Sequence, residues 1–187
     1  MNRKEVKDAL RSRFRKRRKE LDPLKKKEHD LSICSAVCGL PEYKIAKRIF
    51  VYSPIKNEID LTSLFEKISE DGKACLFPRC FEKEMKFASI GYKDLLPGSY
   101  GIPEPPLNAD YTNSYFETDV CILPCLCADR NGFRLGYGGG YYDRFLKNFS
   151  GIKVIAVYKD FIVDENFSEA FDIPADIIVT EEEIIRL

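Results

Sequence analysis

Apolar residues recur at helical spacing near the start of the chain and then gather into short runs. Val6, Leu10, Phe14 and Leu21 lie four, four and seven residues apart, on one face of a helix predicted from Arg3 to Glu20. Asp22-Pro23 supplies an N-cap and a first-turn proline for a second helix. Ile33, Val37 and Leu40 continue its apolar side, and Gly39 stands near its end.

Farther along, strands and helices alternate. Arg48 to Tyr52 reads as a strand, and Leu61 to Ser69 as a helix with Asp60 as cap and Gly72 as stop. Strands are expected at Lys73 to Phe77, Lys86 to Ile90, Asp119 to Leu123 and Lys153 to Tyr158, with Ile177 to Val179 the last. Leu96 to Tyr111 is rich in proline and glycine and reads as a long ordered loop, a feature often tied to function. This pattern implies a single α/β domain over residues 1–187. Its core would be a Rossmann-like open, mainly parallel sheet with helices on both faces and a basic N-terminal helix. Ligands of such sheets bind at the carboxyl ends of the strands.

The 44% hydrophobic content can support a core, and 30 basic residues balance 30 acidic ones. No global field therefore points to nucleic acid. Residues 1–27 nevertheless hold 13 basic and 4 acidic side chains, so that helix either meets an anionic ligand or forms a solvated face. No apolar run suggests a membrane span, and the basic start lacks the apolar stretch of a secretory signal. The expected setting is the cytosol. Seven cysteines without a CxxC, and a lone His29 remote from Cys121, Cys125 and Cys127, suggest reduced thiols and no zinc site.

The chemistry concentrates in residues 132–144. Gly136, Gly138, Gly139 and Gly140 fall within five residues, after a strand and before a helix expected from Tyr141 to Asn148. Such a backbone can turn its N–H groups onto a phosphate, assisted by the helix start, or can simply form a tight turn. Arg134 and Arg144 add charge. Asp143, in the first helical turn, suits either the helix dipole or a magnesium ion bridged to phosphates. Neither GxGxxG nor a P-loop is present.

The run Arg134-Leu135-Gly136-Tyr137-Gly138-Gly139-Gly140-Tyr141-Tyr142-Asp143-Arg144 resembles the signature of the 5-formyltetrahydrofolate cyclo-ligases. Lys7-Asp8-Ala9-Leu10-Arg11, Tyr52-Ser53-Pro54, Glu58-Ile59-Asp60, Phe77-Pro78-Arg79 and Gly101-Ile102-Pro103-Glu104-Pro105 follow that family's order along nearly the whole chain. Basic residues that some members carry at positions 137 and 139 are absent.

The resemblance implies an enzyme that uses ATP and Mg2+ to convert 5-formyltetrahydrofolate into 5,10-methenyltetrahydrofolate, ADP and phosphate. Phosphorylation of the formyl oxygen would activate it for attack by N10, chemistry that needs positioning and charge neutralisation. ATP contacts would fall on Lys7, Arg11, Arg134, Gly136, Gly138, Gly139, Gly140, Tyr141 and Tyr142. Substrate contacts would fall on Ser53, Glu58, Tyr100, Tyr137, Gly138 to Gly140 and Tyr141. Arg134, Tyr142 and Asp143 would serve catalysis, and Asp143 with Asp176 would hold the metal. Glu58 suits the two-donor edge of a pterin. The expectation is a monomer without nucleic-acid or membrane partners. Two other readings stand beside it: a phosphotransferase or ligase for another small molecule, and a non-catalytic folate-, nucleotide- or RNA-binding relative.

Overall fold

The computed structural model describes residues 2–55, 57–82, 84–98 and 101–187. Helices α1 (Arg3–Lys19), α2 (Pro23–Gly39) and α3 (Pro41–Ile45) come first. Strand β1 (Arg48–Phe50), helix α4 (Thr62–Glu70), and strands β2 (Ala74–Phe81) and β3 (Glu84–Ser89) follow. Short strands β4 (Leu96–Pro97), β5 (Pro103–Glu104) and β6 (Tyr111–Thr112) precede β7 (Val120–Leu123), β8 (Cys127–Asp129) and β9 (Arg134–Leu135). Helix α5 (Tyr141–Leu146), then β10 (Ile152–Ala156), β11 (Ile162–Val163), β12 (Ile177–Val179) and β13 (Ile184–Arg186) complete the order.

The main sheet runs β13-β12-β10-β7-β1-β2-β3-β6. Its five inner strands, β12 to β2, are parallel, whereas β13, β3 and β6 join antiparallel. In chain order the parallel strands lie 2-1-3-4-5, so the winding reverses between β1 and β7, where ligands of open α/β sheets bind. The expected mainly parallel sheet is therefore present, but Ile177–Val179 is not the last strand. Leu96 to Tyr111 holds the β4–β5 ribbon, and the segment after β7 folds into a small sheet ordered β11-β8-β9.

Side-chain alternation places helices on both faces. The β2–β3 register pairs Phe77 with Ala88 and Pro78 with Phe87, so Phe77 and Phe87 point to opposite sides. Phe65 of α4 packs on Phe77 with ring centroids 4.9 Å apart. Phe145 of α5 packs on Phe87 at 4.7 Å, and Phe50 and Tyr115 close around it.

Local sequence starts the helices as expected. Asp22 caps α2 by accepting from the amides of Leu24 and Lys25. Asn2 and Glu5 form a reciprocal capping box on α1. Along α1 the buried positions are Lys7, Leu10, Phe14 and Arg18, so charged residues stand at both ends of the apolar stripe. The basic face of α1 docks on an acidic segment near the other end of the chain. Arg13 pairs with Glu165 at 2.7 Å, Arg17 with Asp160 at 3.4 Å, and Lys7 with both Glu169 and Asp172. Among the described residues, no helix is long and apolar enough to cross a membrane.

Candidate functional site

The glycine loop connects β9 to α5. Gly138 and Gly140 adopt φ of +105° and +66°, conformations that side chains disfavour, so glycine is needed at both turns. Arg11 of α1 donates from Nε to the Gly136 carbonyl at 3.1 Å, and its guanidinium lies beside Gly138. Helix α1 and the glycine loop are thereby joined. Next to this junction, Asp8, Arg11, Ser12, Arg15, Lys16 and Lys19 line an open cleft of about 450 Å³.

At the far side of the loop, Arg134 and Asp143 meet. Arg134 donates to Asp143 Oδ1 at 2.7 Å and to the Ile173 carbonyl at 2.8 Å. Its guanidinium also stands over the Tyr142 ring, 5.9 Å from the centroid. Burial drives the Tyr142 phenol well above its ordinary value, so this group stays neutral. Tyr141 instead reaches away, donating from its hydroxyl to the Glu82 carbonyl at 3.0 Å.

A second cluster occupies the carboxyl ends of β1 and β7. Ser53 is buried and donates to the Pro103 carbonyl at 2.6 Å. Glu58 is buried too, with Oε2 accepting from the Ile55 amide at 3.0 Å and Oε1 lying 3.5 Å from Arg18. Arg18 donates to the Tyr137 hydroxyl at 3.0 Å and to the Cys125 carbonyl. Burial pushes the Glu58 carboxyl up, against the pull of the Ile55 amide, Arg18 and Tyr137. Arg15 stacks over Tyr137 at 5.5 Å. The glycine loop thus meets Arg11 of α1 at Gly136 and Gly138, and meets the Arg18–Glu58 pair through Tyr137.

Other expected residues have different surroundings. The Lys7 ammonium lies 2.6 Å from Glu169 and 2.9 Å from Asp172, already neutralised. Burial opposes its charge, but the two carboxylates outweigh that and raise its pKa. Asp176 accepts from the Lys153 amide at 2.7 Å and pairs with the Lys153 ammonium at 2.8 Å. Asp143 and Asp176 therefore engage different cations. Among the described residues, no group of three or more His, Cys, Asp or Glu could hold a metal by itself. Tyr100 lies outside the described residues. All seven cysteines are free, and burial raises the Cys125 thiol to about 12.

Sequence reasoning missed Arg18. Its signal was present: positions 7, 10, 14 and 18 share one face of α1, and a cation at the end of a buried stripe needs an anionic partner.

The fold and the site define a class: an α/β protein with a glycine-loop cradle beside a buried carboxylate, at the point where the order of its parallel strands reverses. The model of the 5-formyltetrahydrofolate cyclo-ligase family matches residues 3–181, and the chain belongs to that family. The chain is similar to the 5-formyltetrahydrofolate cyclo-ligase of Haemophilus influenzae, at 30% identity over 178 residues, covering 91% of this chain and 95% of that protein. It is 34% identical over 160 residues to the mitochondrial 5-formyltetrahydrofolate cyclo-ligase of Arabidopsis thaliana, covering 76% of this chain and 58% of the plant protein. The NMR structure of Aquifex aeolicus 5,10-methenyltetrahydrofolate synthetase superposes with a TM-score of 0.85 at 32% identity, covering 97% of this chain and 93% of that one.

Proposed function

We propose that this chain closes 5-formyltetrahydrofolate to 5,10-methenyltetrahydrofolate at the expense of ATP, releasing ADP and phosphate. The observation that carries the reading is the meeting of the glycine loop with Arg11 on one side and with the Arg18–Glu58–Tyr137 cluster on the other, in a chain of this family. One loop can then face a triphosphate and a flat heterocycle together. Transfer of the γ-phosphoryl group to the formyl oxygen makes that oxygen a leaving group; N10 attacks the same carbon and phosphate departs. The protein's task is to align the two substrates and neutralise charge.

In this reading Arg11 and the glycine amides hold phosphate oxygens, and Lys7 joins them by exchanging a carboxylate for a phosphate. Glu58 accepts from the pterin edge, with Ser53, Tyr137 and Tyr141 around the substrate. Arg134, standing over the Tyr142 ring, holds Asp143 at the loop. Magnesium fits this donor set when ATP phosphates supply most of its ligands and Asp143 supplies a carboxylate oxygen, and it would offset phosphate charge. The Asp176 carboxylate would join only after leaving Lys153. The reading places the activity on one monomeric domain in the cytosol, without nucleic-acid partners.

The test is an absorbance assay for the methenyl product with purified protein, Mg-ATP and 5-formyltetrahydrofolate. Product that depends on both substrates supports the proposal. Clean protein that binds both and forms no product would sink the enzyme reading in favour of a binding module.

A further inference from the structure

Arg18 interrupts the apolar stripe of α1. Lys7, Leu10 and Phe14 occupy that face before it, and a leucine or methionine at position 18 would pack there without a buried charge. An arginine stands there instead, its side chain only 7% exposed. Among the described residues its Nε has no hydrogen-bond partner, an arrangement that disfavours the fold. What the residue provides is a junction. It donates to the Tyr137 hydroxyl at 3.0 Å and to the Cys125 carbonyl, and it faces Glu58 Oε1 at 3.5 Å. Its own backbone carbonyl accepts from the Asn57 side-chain Nδ2 at 3.2 Å. These partners come from the loops after β1 and β7 and from the glycine loop, three segments that converge where the sheet order reverses.

We propose that Arg18 is a positioning residue of the folate pocket, fixing the Glu58 carboxylate and the Tyr137 hydroxyl as one recognition unit. This rests on the functional reading above. Glu58 faces Arg18 from α1, Tyr52 from beyond β1, Cys125 and Tyr137 from the loops, and Tyr142 from α5. Arg18 is the cation of that set, and the neutral phenols and thiol cannot replace its charge. Burial pushes the Glu58 carboxyl up while the guanidinium opposes that rise. Without Arg18, Glu58 protonates at higher pH and can no longer accept both donors of a pterin edge.

The experiment measures 5-formyltetrahydrofolate and ATP binding, with turnover, across pH for the full chain and for Arg18→Lys and Arg18→Met. Folate affinity should fall about tenfold or more in Arg18→Met, as loss of a charge-assisted contact requires, while ATP affinity stays within about twofold. The acid limb of the folate profile should move to higher pH. Arg18→Lys should recover part of both effects. A folate profile superimposable on the parent's, or equal losses for both ligands, would overturn the inference. If Arg18→Met fails to fold, Arg18→Lys decides by the same limb. A parent that binds the folate without turnover removes the enzyme reading and leaves this test intact; a parent that does not bind it overturns both.

Discussion

Asp143→Asn is expected to lower stability and turnover by separate routes. Asp143 Oδ1 accepts from Arg134 at 2.7 Å, and the Arg134 side chain is 4% exposed against 30% for Asp143. Breaking a fully buried ion pair costs about 3–5 kcal/mol. Three features reduce that figure. Asp143 reaches solvent, Arg134 keeps its bond to the Ile173 carbonyl, and an asparagine oxygen can still accept from the guanidinium. The expected cost is about 1–2 kcal/mol, part of a charged hydrogen bond. In a chain of 187 residues that lowers Tm by roughly 2–8 °C. If Asp143 also orients Mg-ATP, kcat falls by about a hundredfold or more, the scale of losing one group that stabilises transition-state charge. The apparent magnesium requirement rises with it, which a modest loss of fold stability cannot produce below Tm. The double variant Arg134→Met, Asp143→Asn removes the unpaired charge and should recover Tm without recovering turnover. Thermal melts and the methenyl absorbance assay over a magnesium titration measure both effects. A lowered Tm with normal turnover at limiting magnesium would refute the reasoning and leave Asp143 as a partner of Arg134 alone.

Lys7→Ala should weaken ATP binding by about 1.5–3 kcal/mol, while Lys16→Ala, at a side chain 79% exposed, changes it little; equal effects in an ATP titration would mean a diffuse basic surface. Gly138→Ala forces a side chain onto φ +105° and should cost about 1–3 kcal/mol in a melt, with a rise in the KM for ATP; an unchanged KM would detach the loop from the nucleotide. Burial holds the Asp129 carboxyl above its ordinary value against the amides of Phe133 and Asn131, so its ionised form opposes folding. That penalty is absent in acid and develops as pH rises through the ordinary value of 3.8. Asp129→Asn retains the acceptor and should raise Tm near pH 7 but not near pH 3; an equal gain at both would exclude a charge effect.

Local pattern was enough for the elements whose cause is local. Asp22-Pro23 begins α2 because cap and ring act within a few residues, and the apolar stripe of α1 follows from helical periodicity. The runs at Val120–Leu123 and Ile177–Val179 become inner parallel strands because both of their faces are buried. The glycine loop and its neighbours also stood out in sequence, since glycines so closely spaced before a helix answer to few conformations. Partners distant in sequence were decided only by the tertiary structure. Ile184–Arg186 is too short to read alone and becomes a strand by pairing with β12. Lys7, Arg13 and Arg17 of the N-terminal helix pair with acidic residues from Asp160 to Asp172, so part of its surplus positive charge is met within the chain. Arg134 and Asp143 both looked available for ATP and metal, yet they neutralise each other. Arg18 drew no attention in a run of cations; its spacing put it on the buried face, but its partners Glu58, Cys125 and Tyr137 came only with the tertiary structure. Periodicity records which face of an element is buried; which charge it meets there depends on chain segments brought together by the sheet, and no local spacing encodes that.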